Sequence, residues 1–130
     1  MAGFTIQERF ELQERQRGEI TLLFIKGRLD QPELDLVNAA MTRLRKEGRR
    51  RLVVDFSEVP AITTLTVAGL VTTAESLRGD GGEMILTGIS SSVSKVFDVI
   101  DPTHKVAMQT DVVAAIKSMT QGSIPAGASA

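Results

Sequence analysis

The chain has 130 residues, a length that suits one domain able to bury roughly two thirds of the surface its unfolded form exposes. Hydrophobic residues make up 42% and charged residues 24%, and 15 Lys plus Arg against 16 Asp plus Glu leave a net charge of -1, without the positive field that draws a protein onto nucleic acid or anionic lipid. The absence of Cys excludes disulfides, thiolate metal sites, iron–sulfur clusters and a Cys nucleophile; one His leaves no imidazole cluster for zinc or copper, and without Trp or Tyr there is no stacking platform for single-stranded nucleic acid.

The first ten residues carry no basic stretch followed by an apolar run of signal-peptide length. The strongly apolar stretches, such as Leu22-Leu23-Phe24-Ile25 and Leu52-Val53-Val54, fall far short of the roughly 20 residues a bilayer requires. A cytoplasmic protein without membrane insertion is expected.

Residues 10–15 and 19–26 read as two strands around a turn at Arg17-Gly18, an opening β-hairpin. After Gly27-Arg28-Leu29-Asp30, Pro32 suits a first helical position, and Leu34, Val37, Met41 and Leu44 recur at helical spacing, so an amphipathic helix should follow and end near Gly48. The unbroken apolar run in Leu52-Val53-Val54-Asp55-Phe56 fits a strand covered on both faces, at the centre of a parallel sheet. Residues 63–78 place Val67, Leu70, Ala74 and Leu77 on one helical face before Gly79-Asp80-Gly81-Gly82 stops the helix. Residues 83–87 return as a strand; Ser90 or Ser91 then caps a helix whose Val93, Val96, Phe97 and Ile100 face inward, closed by Asp101-Pro102. Residues 105–108 give a short strand, and Thr110-Asp111 begins a last helix with Val113, Ile116 and Met119 on its buried side. This alternation predicts an α/β fold: a mixed, mostly parallel sheet of about five strands, joined by right-handed crossovers through about four helices. Residues 1–120 form the domain, and the Gly, Ser, Pro and Ala composition of 121–130 reads as a flexible tail.

The most informative junction is Ile62-Thr63-Thr64-Leu65-Thr66, where hydroxyls stand immediately before a helix and after a parallel strand plus its loop. A Thr oxygen there can simply cap the helix. Alternatively, a phosphoryl group on Thr64 would meet the unsatisfied N–H groups and positive dipole end of that helix and switch the binding of a partner. Asp30 in Gly27-Arg28-Leu29-Asp30 suits a helix cap, and would join Thr64 only if the two loops meet at the carboxyl ends of neighbouring strands. Gly79-Asp80-Gly81-Gly82 lacks a following GK[ST] and precedes a strand, so it is a turn and not a phosphate loop. The basic run Arg43, Arg45, Lys46, Arg49, Arg50 and Arg51 reads first as a solvated helix end. His104 has no nucleophile elbow to serve, and the Asp98 and Asp101 carboxylates sit at helix-end spacing without an apolar pocket. No catalytic residue, cofactor site or metal site is assigned, and the chain is not expected to be an enzyme.

Gly27-Arg28-Leu29-Asp30, Leu52-Val53-Val54-Asp55-Phe56-Ser57, Ile62-Thr63-Thr64 and Gly81-Gly82-Glu83-Met84-Ile85-Leu86, in that order, resemble a STAS domain. The likeness covers about residues 19–118 and is nearest to the stand-alone anti-sigma-factor antagonists of bacterial partner-switching systems; Gly88-Ile89-Ser90 through Val93, Lys95, Val96, Phe97 and Asp98 also resembles that family's third helix and its lead-in. The resemblance implies a regulator of transcription in the stress response. Its phosphoacceptor falls at Thr64, its partners are a serine-threonine kinase that doubles as anti-sigma factor and a metal-dependent serine/threonine phosphatase, and Asp30 matches an acidic position that helps engage the kinase. Thr63, Leu65 and Thr66 complete the implied partner-binding loop, but they depart from the family pattern: Thr63 stands where the family has Asp, Leu65 replaces a second small hydroxyl residue, and Thr66-Val67 replace Gly-Leu. A Thr acceptor followed by a bulky apolar residue is similar to the scaffold subunits of stressosomes, which implies an alternative as a homo-oligomeric assembly subunit. A further alternative is an accessory STAS subunit of a lipid-transport complex.

Overall fold

The computed structural model describes the backbone of residues 3–7, 10–103 and 105–122 and the side chains of 10–103 and 105–120. The elements follow one another as β1 (Gly3–Gln7), β2 (Phe10–Arg17), β3 (Ile20–Gly27), α1 (Gln31–Lys46), β4 (Arg51–Glu58), α2 (Thr64–Gly79), β5 (Glu83–Thr87), α3 (Ser91–Ile100), β6 (Ala107–Gln109) and α4 (Val112–Gly122). The sheet order is β1-β2-β3-β4-β5-β6, antiparallel through the first three strands and parallel from β3 to β6. The expected fold class and opening hairpin are present, the hairpin turning at Gly18 with φ 61°. The sheet carries one strand more than the sequence suggested, because Gly3–Gln7 pairs antiparallel with the first half of β2; five residues with no turn signature behind them are too few to declare themselves by pattern.

The centre of the sheet falls where the apolar run predicts. Leu52, Val53 and Val54 are completely buried, each worth about 1.5–3 kcal/mol as a large aliphatic withdrawn from water. Alternation along β4 sends Leu52, Val54 and Phe56 to the face covered by α1, α2 and α3, and Val53 to the face covered by α4. The stripes Leu34, Val37, Met41, Leu44 of α1 and Val67, Leu70, Ala74, Leu77 of α2 are buried as the spacing requires. In α3, Val93 and Phe97 are buried and Val96 and Ile100 half-buried.

The last helix corrects the reading. Its buried stripe is Ala115 and Met119, flanked by the half-buried Val112 and Ile116, while Val113 is 70% exposed. Val113 lies one position off that stripe, so the helical turn carries its side chain to solvent. The strand before it also starts later than expected, at Ala107, because Lys105 and Val106 are held by Asp101: its buried carboxylate accepts their backbone N–H groups at 2.9 Å and 3.0 Å. The helix α4 extends to Gly122, two residues into the segment read as a tail; residues 123–130 and His104 lie outside the described residues.

The basic run at the end of α1 is less solvated than its composition suggests. Arg43 pairs with the buried Glu14 of β2 and with Glu47, and Arg45 with Asp80 and Ser76 at the end of α2. Arg49 donates to the Thr21 hydroxyl at 2.9 Å and to the carbonyls of Gly18 and Ile20, locking the hairpin turn. Gly82 is required where the α2–β5 turn passes the α1–β4 loop, since a Cβ there would stand 2.5 Å from the Arg50 carbonyl.

Candidate functional site

The carboxyl ends of parallel strands gather the loops that follow them, and here two of those loops touch. An isolated parallel bridge pairs Leu29, after β3, with Ile62, after β4, so Asp30 and Thr63 are the next residues on adjoining segments. The two loops therefore meet at residues 29 and 62.

Thr63 is the N-cap of α2, with extended backbone, and its hydroxyl accepts the Thr66 N–H at 3.1 Å. The Thr63 and Thr66 hydroxyls also share a hydrogen bond of 2.8 Å, and Thr66 is wholly buried. Both hydroxyls are thereby committed to starting the helix. Thr64, the first helical residue, is exposed, and its side chain makes no hydrogen bond among the described residues. Leu65 follows it with 66% of its surface in solvent, a large apolar side chain standing out beside a free hydroxyl. The loop thus presents Thr63, Thr64 and Leu65 outward and withdraws Thr66, which supports it from beneath; of the residues expected to bind a partner, Thr66 is the one the fold removes from the surface.

Asp30 begins α1, and the Glu33 carboxylate accepts its backbone N–H at 3.0 Å, half of a capping box. Its Oδ2 forms an ion pair with Arg28 Nε at 2.9 Å, while Oδ1 is shielded from solvent and has no partner among the described residues.

A second feature, which local pattern does not reveal, joins β4 to β5. Asp55, the last residue of β4 paired with β5, is buried, and its Oδ1 accepts from the Thr87 hydroxyl of β5 at 2.8 Å. Its Oδ2 takes both the hydroxyl and the backbone N–H of Ser57. Gly88 closes over the group with φ 66°, and a Cβ there would come within 2.9 Å of the carboxylate and 2.8 Å of the Ser57 nitrogen. Asp55 therefore fixes where the loops after β4 and β5 leave the sheet. An open groove of about 540 Å³, lined by Gly27, Ser57, Val59, Pro60 and Ser90, lies at these strand ends. Asp55 stood within a strand motif and Thr87 at a strand end 32 residues away, so only the register of β4 against β5 could have paired them.

Among the described residues no three His, Cys, Asp or Glu side chains converge as a metal site, and no helix is long and apolar enough to cross a membrane. The site offers exposed hydroxyls, one carboxylate in a surface ion pair and an apolar side chain, a set suited to being recognised by another macromolecule.

A mixed sheet with three helices on one face, one on the other, and a hydroxyl-bearing loop at its carboxyl edge defines an α/β domain of two helical layers about one sheet. The chain belongs to the STAS domain family, whose model matches residues 11–115. Comparison with curated proteins gives no significant match. Among solved structures the chain is similar to an anti-sigma factor antagonist from Mycobacterium paratuberculosis (12% identity, TM-score 0.76, covering 89% of this chain and 98% of that one). It is also similar to RsbS of Moorella thermoacetica (14%, 0.76, 88% and 98%) and to the anti-sigma factor antagonist SpoIIAA in its unphosphorylated form (20%, 0.69, 87% and 96%). At these identities the likeness is one of fold.

Proposed function

We propose that this STAS domain is a partner-switching regulator, an anti-sigma-factor antagonist without catalysis of its own, whose docking is controlled by phosphorylation at Thr64. The observation that carries the reading is the division of labour among three hydroxyls: Thr63 and Thr66 are spent on the helix start, and Thr64 alone of the three stands exposed and unbonded among the described residues. Its neighbours Asp30, Thr63 and Leu65 form the surrounding contact surface, with Leu65 as apolar anchor.

The partner is a serine-threonine switch kinase that also holds a sigma factor. It moves the γ-phosphoryl group of ATP to the Thr64 oxygen, releasing ADP and the hydroxyl proton. The product adds about -1.5 to -2 of charge at a helix start that tolerates it, on a face where a bound partner would have to desolvate it. A metal-dependent serine/threonine phosphatase restores the hydroxyl by hydrolysis. The role calls for no cofactor, no direct nucleic-acid contact and a cytoplasmic setting.

Incubation with a cognate kinase and ATP, followed by mapping of the modified residue, tests the reading. Phosphate on Thr64 supports it; phosphate elsewhere, or none, overturns it. Megadalton particles in size-exclusion chromatography would replace it with the scaffold alternative.

A further inference from the structure

This inference rests on Thr64 as phosphoacceptor and concerns what receives the phosphate once it is there. The bridge between Leu29 and Ile62 lays two extended segments side by side. Leu29 is fully buried, so the alternation of an extended chain turns its neighbours Arg28 and Asp30 outward, and on the adjoining segment Thr63 and Thr64, which follow Ile62, are both exposed. On that outer surface the Arg28 guanidinium, 68% exposed, reaches Asp30 Oδ2 at 2.9 Å.

We propose that phosphorylation of Thr64 draws the Arg28 guanidinium from Asp30 onto the phosphate, so that Arg28 acts as an intramolecular receptor and the β3–α1 loop reports the state of the β4–α2 loop. Three features favour the exchange. The existing pair is solvated on the arginine side, and a pair so exposed is weakly held. A phosphate offers more charge than a carboxylate and three oxygens to the planar fork of an arginine, which binds such groups in bidentate fashion. The released Asp30 is not stranded, because it sits at the start of α1, where the helix dipole favours negative charge and Glu33 still holds its backbone N–H. The change at the site then extends beyond an added charge: a neutral Arg28–Asp30 pair becomes a free carboxylate beside an arginine-bound phosphate, and a partner touching either loop senses it.

The test uses the full chain with phosphothreonine installed at position 64 by genetic code expansion, so that it does not depend on any kinase. The phosphorus-31 resonance is followed through the second ionisation of the phosphate in the parent protein and in Arg28→Gln and Arg28→Lys, with the unmodified chains melted in parallel to verify the fold. The neighbouring carboxylates Asp30 and Glu33 are the same in all three. The expected result is about threefold tighter proton binding by the phosphate in Arg28→Gln than in the parent, with Arg28→Lys between them, and a shift of the Arg28 Nε–H signal on phosphorylation. Identical titration midpoints and an unmoved Arg28 signal would overturn the exchange. Failure of a kinase to modify Thr64 would count against the functional reading and leave this measurement interpretable.

Discussion

The Thr87 hydroxyl donates to the buried carboxylate of Asp55 at 2.8 Å and ties β5 to β4 close to where the loops after these two strands leave the sheet. Since Ser57 occupies the other carboxylate oxygen, one side chain fixes the exits of two loops. Asp55→Ala should therefore destabilise the fold by about 2 kcal/mol, leaving the Thr87 hydroxyl buried without an acceptor. Thr87→Val should cost about 1–3 kcal/mol for the converse reason. Urea unfolding of the two single variants and the double variant measures this, and non-additivity is expected because the residues share one contact.

Gly88 tests the same contact sterically. Gly88→Ala forces a side chain onto a positive-φ backbone and to within 2.9 Å of Asp55 and Ser57, so a loss of about 2 kcal/mol or more is expected. Gly18→Ala, where φ is also positive but no atom lies within 4 Å of the added carbon, should cost less by roughly the packing share. The difference in melting temperature between the two reads it.

The threonines at the start of α2 should separate cleanly. Thr63→Ala removes the N-cap oxygen and leaves the buried Thr66 hydroxyl short of a partner, a loss of about 1–2 kcal/mol. Thr64→Ala, at an exposed position without a side-chain bond among the described residues, should stay within about 0.5 kcal/mol of the parent. Equal losses in denaturant would show that both hydroxyls are structural.

How far these residues were legible follows from the range of the interactions that define them. The stripes of α1 and α2 repeat every three or four residues and could be read position by position. The start of α2 was legible because a hydroxyl before an apolar helix is a local signal, and Thr63 caps the helix there. Asp55 with Thr87, Arg43 with Glu14 and Leu29 with Ile62 depend on strand register and loop contact across about 30 residues, and no local period carries them. In α4 Ile116 and Met119 pack inward as read and only Val113 was misplaced: the first turn turns Val112 and Ala115 to the sheet, and a small Ala does not declare itself as a core residue.

Arg43 gives a prediction with a pH sign. Its hydrogen bond to Glu14 raises the guanidinium above its ordinary range, against the opposing pull of burial. A cation whose folded value is raised contributes below its unfolded value and is lost only as pH climbs through the folded one, so this contribution should be flat across about pH 6 to 9. Arg43→Ala leaves Glu14 buried and unpaired and should destabilise by about 1–2 kcal/mol, discounted for the half-exposed arginine. Glu14→Gln in the Arg43→Ala background should recover part of that loss in thermal unfolding.

In the proposed switch the bare Thr64 hydroxyl permits docking and its phosphate forbids it. Calorimetric titration of the switch kinase with the unmodified chain, with Thr64→Ala and with the chain phosphorylated at Thr64 measures this directly. Comparable binding by the first two and a loss of at least about tenfold, roughly 1.4 kcal/mol, in the third is the predicted result. Equal affinity for the modified and unmodified chains would contradict the account.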